Sequence, residues 1–78
     1  MKDYYIVYEY LGNDERIERN KGYTFYTVYN EKGEITSHDI LDMKYEIRKE
    51  LVERYNISEP DDINVLIDIL VTYIKEIA

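Results

Sequence analysis

Ile63-Asn64-Val65-Leu66-Ile67-Asp68-Ile69-Leu70-Val71-Thr72-Tyr73-Ile74-Lys75-Glu76-Ile77 is the most apolar run of this 78-residue chain. Ile63, Leu66, Ile67, Leu70, Ile74 and Ile77 recur at three- and four-residue intervals, the spacing of one helix face. Upstream, Asn56-Ile57-Ser58-Glu59-Pro60 supplies a start: Ser58 can cap, and Pro60 suits a first helical turn. Glu59, Asp61 and Asp62 complement the positive end of a helix dipole. These signals predict a helix over 60–77. Val65, Ile69, Val71 and Tyr73 carry apolar cover around most of its circumference, leaving Asn64, Asp68, Thr72 and Lys75 as a narrow polar sector. A helix apolar on nearly all sides must be buried on nearly all sides. It therefore lies centrally or meets a second copy, with Leu70 in the core and Val65, Ile69, Thr72 and Tyr73 at the contact.

Working back, Thr36-Ser37-His38-Asp39 has the spacing of a capping box, and Ile40, Met43, Ile47 and Leu51 follow on one helical stripe. Leu41, Tyr45, Val52 and Tyr55 flank that stripe, and the helix is expected to run to about Asn56. Ahead of it, seven of the ten tyrosines fall in two alternating runs, Tyr4-Tyr5-Ile6-Val7-Tyr8-Glu9-Tyr10 and Tyr23-Thr24-Phe25-Tyr26-Thr27-Val28-Tyr29. Both read as strands, about 3–11 and 22–30. Between them, Gly12 to Gly22 is rich in both signs of charge and reads as a long hairpin connection. Asn30-Glu31-Lys32-Gly33 reads as a turn with glycine supplying a positive φ, leading to a brief third strand Glu34-Ile35-Thr36. The expected fold is α+β in a single domain, 1–78: a three-stranded antiparallel meander followed by two packed C-terminal helices, β-β-β-α-α.

Strand alternation separates Tyr4, Ile6, Tyr8 and Tyr10 from Tyr5, Val7, Glu9 and Leu11, and Tyr23, Phe25, Thr27 and Tyr29 from Thr24, Tyr26, Val28 and Asn30. Both sides are largely apolar, whereas a half-exposed antiparallel sheet is ordinarily polar outside. Glu9, Thr24 and Asn30 mark the more polar side, which places Ile6 and Phe25 toward the helices and makes Tyr5, Val7, Tyr26 and Val28 the expected sheet contact. Tyrosine suits such a surface because its ring is apolar while its hydroxyl can face water or a partner.

Composition narrows the function. So small a core folds only marginally without disulfides, metals or partners. The chain has no cysteine and one histidine, which removes disulfides and a structural zinc site and leaves self-association. No cofactor motif is present. A formal charge of −7 repels the phosphate backbone at long range, and the tyrosine strands lack the basic residues that accompany base stacking, so direct nucleic-acid binding is not expected. No secretory signal opens the sequence, and the apolar run carries Asp68, Lys75 and Glu76, which argues against a membrane span and for a cytoplasmic setting. His38 beside Asp39, with Ser37 and Asp42 close by, reads as capping and solvation rather than acid–base machinery. Asp39, Asp42 and Glu46 at helical spacing read as an exposed face paired with Lys44, Arg48 and Lys49 rather than a cation site. The expected function is a non-enzymatic, homo-oligomeric protein-interaction module, a small acidic regulator or inhibitor of another protein. The alternative is an acidic mimic of nucleic acid that occupies a partner's basic groove.

Overall fold

The computed structural model describes residues 1–12, 17–56 and 67–77. Three strands and one helix occupy these: β1 (Lys2–Gly12), β2 (Asn20–Val28), α1 (Ser37–Arg54) and β3 (Ile67–Ile77). The strands form one antiparallel sheet in the order β2-β1-β3, with β1 in the centre. The fold is thus β-β-α-β, which overturns the expected β-β-β-α-α arrangement and its C-terminal helix pair.

The C-terminal run is a strand because six residues of β3 are β-branched and Tyr73 adds an aromatic, which favours extended backbone once a partner edge exists. Central β1 supplies that edge. Ile67 and Ile69 face inward and are buried, whereas Asp68 and Leu70 between them are exposed, a period of two rather than 3.6. The expected helix start over 60–66, including Ile63, Val65 and Leu66, lies outside the described residues. Glu34-Ile35-Thr36 does not form a strand. The Gly33 N–H donates to the Asn30 carbonyl (3.1 Å) with Gly33 at φ +67°, the Asn30 side-chain amide donates to the Glu34 carbonyl (2.8 Å), and the chain passes directly into the helix cap.

The α1 start matches its sequence signal. Asp39 N–H donates to Thr36 Oγ1 (3.2 Å), and the Thr36 N–H donates back to the Asp39 carboxylate (2.8 Å). Met43, Ile47 and Leu51 fall at four-residue intervals on one buried stripe and press on the inner face of the sheet, where Ile6, Tyr8, Tyr10, Val28, Ile67 and Ile69 are buried. Val52 and Tyr55 join this core, and the Tyr10 and Tyr55 hydroxyls pair at 2.7 Å. Leu41 remains exposed. Ile17, inside the charged connection, is buried against Gly12, where an added Cβ would meet the Ile17 Cβ at 2.3 Å.

β3 carries one irregularity. Pairing with β1 runs from Gly12↔Ile67 to Tyr8↔Val71 and resumes at Val7↔Tyr73, so Thr72 is left over as a bulge. Its hydroxyl donates to the Val7 carbonyl at 3.2 Å. Beyond the bulge the alternation inverts: Ile74 pairs with inward Ile6, and Tyr73, Lys75 and Ile77 share the outward side with Val7, Tyr5 and Asp3.

Candidate functional site

One helix covers one face of the sheet; among the described residues nothing covers the other. On that open face Tyr5 sits at the centre of an aromatic cluster, its ring 5.9 Å from Tyr23, 5.7 Å from Phe25 and 6.4 Å from Tyr73. Tyr23 and Phe25 meet at 6.3 Å, edge to face. These separations are those of attractive ring pairs, so the cluster is ordered by its own contacts. Tyr23 is 65% exposed, Phe25 62% and Tyr73 50%, while Leu70, Leu11 and Ile77 extend the apolar surface. An exposed apolar patch of this kind makes this face the candidate contact site.

The ionisable strand residues of this face stand at its rim. Strand phase assigns Asp3, Glu9, Asp68, Lys21 and Lys75 to it, three carboxylates against two ammonium groups. Glu9 and Lys21 are paired at 4.0 Å, and Asp3 accepts from the Thr27 hydroxyl at 2.8 Å. The open face is therefore close to neutral on a chain whose formal charge is −7.

No protein-family model matches the chain, and neither the curated proteins nor the solved structures hold a significant match.

The expected contact residues divide. Tyr5, Val7 and Tyr73 lie together on the open face. Tyr26 and Val28 do not: the register Tyr5↔Phe25 and Lys2↔Val28 turns them to the helix side, where Val28 is buried, and sends Phe25 outward rather than toward the helix. β2 is apolar on both sides, so Thr24 and Asn30 do not fix its phase, and pairing with β1 sets it the other way. Ile69 is core, not contact; Leu70, expected in the core, is exposed. Thr72 is the bulge residue. Val65 lies outside the described residues. Tyr23, an exposed open-face residue outside the expected set, is signalled by sharing the parity of Phe25.

A second feature borders the sheet on the helix side. A groove of about 430 Å³ runs between α1 and the free edge of β2, with Thr24, Phe25 and Tyr26 on one wall and Glu46, Glu50 and Glu53, with Lys49 among them, on the other. These glutamates continue the three- and four-residue spacing of Asp39 and Asp42, so five carboxylates share one helix stripe. The Tyr26 hydroxyl donates to Asp39 (3.1 Å) and Asp42 (2.9 Å), tying β2 to the helix start. Burial, then these two carboxylate acceptors, push the Tyr26 hydroxyl far above its ordinary range. The Thr36 backbone and hydroxyl donors hold Asp39 below the usual carboxylate value, with smaller help from Tyr26 and His38. Of the expected cationic partners, Lys49 lies 5.6 Å from the Tyr45 ring centroid, and Arg48 donates to the Ile67 carbonyl at 2.7 Å. His38 is exposed at the first turn of α1. Among the described residues, no three His, Asp or Glu side chains are grouped to hold a metal ion, and no helix is long and apolar enough to cross a membrane.

Proposed function

We propose that this protein is a non-enzymatic interaction module that pairs with a second copy through its open sheet face, with Tyr5, Val7, Tyr23, Phe25 and Tyr73 at the centre of the contact. The observation that carries this reading is the aromatic cluster of Tyr5, Tyr23, Phe25 and Tyr73, exposed on a nearly neutral face of a strongly acidic chain. Two copies meeting there bring no net charge of consequence together, whereas a contact through the Asp39, Asp42, Glu46, Glu50 and Glu53 stripe of α1, with Lys49 its one ammonium group, sets mostly acid against acid. Glu9 and Lys75 at the rim allow complementary pairing across a two-fold axis. A cytoplasmic setting fits a cysteine-free chain.

Size decides the strength. Three strands about 4.8 Å apart and about 30 Å long present roughly 450 Å² in projection, which places the contact near the low end of specific interfaces. The expected affinity is micromolar. Sedimentation of the wild-type chain between about 5 and 500 µM should show a concentration-dependent shift from the 9.5 kDa monomer toward twice that mass. Tyr73→Asp, which places a charge in the aromatic cluster, should keep a folded far-UV spectrum and remain monomeric throughout. A wild-type chain that stays monomeric at the highest concentration, or a Tyr73→Asp variant that still dimerises, sinks the proposal.

A further inference from the structure

The two edges of the sheet are not alike. β3 is interrupted by the Thr72 bulge and carries Asp68, Lys75 and Glu76, the devices by which proteins discourage strand addition. β2 has neither bulge nor proline, and from Gly22 to Val28 it has no charged residue. Every second residue of that edge directs its N–H and C=O away from β1, toward the side on which the groove opens. An unblunted edge beside a preformed groove is what an added strand requires.

Charge selects the occupant. Glu46, Lys49, Glu50 and Glu53 form the facing wall, three carboxylates to one ammonium group; Lys49 lies over the Tyr45 ring at 5.6 Å, Glu50 is paired with Arg54 at 3.1 Å, and Glu46 and Glu53 make no ion pair among the described residues. A second copy adding its own β2 would bring an identical acidic wall against this one. An extended segment with basic side chains at alternate positions meets both demands at once. Behind the strand, the Tyr8 ring packs against Gly22, where an added Cβ would lie 2.6 Å from its hydroxyl oxygen, and both Glu50 and Arg54 act on that hydroxyl electrostatically. Tyr8 is fully buried, and its hydroxyl has no hydrogen-bond partner among the described residues.

We infer that the β2 edge binds an extended basic segment of a partner protein as a fourth strand, with alternate Lys or Arg side chains turned toward Glu46, Glu50 and Glu53. This site shares Phe25 with the open face but not Tyr73, and Tyr73→Asp leaves its walls intact.

The test uses fluorescein-labelled heptapeptides and polarisation titration of the full chain carrying Tyr73→Asp. The probes are one with lysine alternating with threonine, one with glutamate in place of lysine, and two lysine versions N-methylated at odd or at even residues. The lysine peptide should bind with a Kd in the range of about 10–100 µM, and the glutamate peptide at least about tenfold more weakly. At least one N-methylated version should lose about tenfold, because it removes the backbone donors that face the edge. Combining E46Q, E50Q and E53Q should also cost the lysine peptide about tenfold, and added salt should do the same to the parent. The inference is overturned if lysine and glutamate peptides bind alike or the lysine peptide fails to bind. It also fails if neither N-methylated version weakens, or if the peptide-free chain protects its β2 amides by pairing with a second β2.

Discussion

The Tyr8 hydroxyl is buried without a hydrogen-bond partner among the described residues, although the ring beneath it fills the centre of the core. A buried hydroxyl left unpaired costs about 1–3 kcal/mol, so Tyr8→Phe should leave the free chain unchanged or stabilise it by up to about 1 kcal/mol. A chemical-denaturation midpoint that falls by more than about 1 kcal/mol equivalent would mean that the hydroxyl is satisfied in the folded chain. Tyr26 is the opposite case, its hydroxyl held by two carboxylates of α1. Two tyrosines on the same side of the sheet thus differ in what their oxygen atoms lack, a distinction that residue type cannot carry.

At the scale of elements, β1, β2 and α1 follow from local pattern: alternating aromatic and β-branched residues make the strands, and the Thr36–Asp39 capping box with its Met43, Ile47 and Leu51 stripe makes the helix. β3 does not, because apolar residues fill nearly every position of 65–71 and satisfy a period of two as well as one of 3.6. The decision comes from β1, whose free edge rewards an extended partner far along the chain. The same ambiguity explains why, of Ile69, Thr72 and Tyr73, only Tyr73 stands on the open face as a ring. A paired substitution separates the two readings. Ile69→Asp puts a carboxylate into the packed inner layer and should unfold the chain or cost more than about 3 kcal/mol, whereas Leu70→Asp on the open face should cost under about 1 kcal/mol. Thermal melts that rank the two the other way would restore the helix.

For the molecule as a whole, the sheet divides two chemistries: an aromatic, nearly neutral side and a side whose helix carries five carboxylates in line. Tyrosine also ties stability to alkaline pH. Burial raises the hydroxyls of Tyr8, Tyr10 and Tyr26 above their ordinary value of 10.0, helped by Tyr55 for Tyr10 and by Asp42 and Asp39 for Tyr26. A group whose folded value is raised binds its proton more tightly in the native state, so its contribution is intact below pH 10 and lost as pH climbs from there through the folded values. Stability should therefore decline above about pH 10 with release of tyrosine protons, visible as phenolate absorbance that rises together with loss of the far-UV signal. Phenolate appearing well before unfolding, in the full complement of ten, would show that none of the three is sheltered.

Thr72 has an effect out of proportion to its size. The single surplus residue it represents reverses the orientation of everything after it in β3, which is why Tyr73 stands with Tyr5 while Ile74 turns to the opposite side. Were Thr72 paired with Val7 instead of set aside, the same chain would turn Tyr73 inward and exchange a ring for the aliphatic branch of Ile74 at the edge of the patch. What a neighbour encounters on this surface is thus governed by counting along the backbone, not by which amino acids are available.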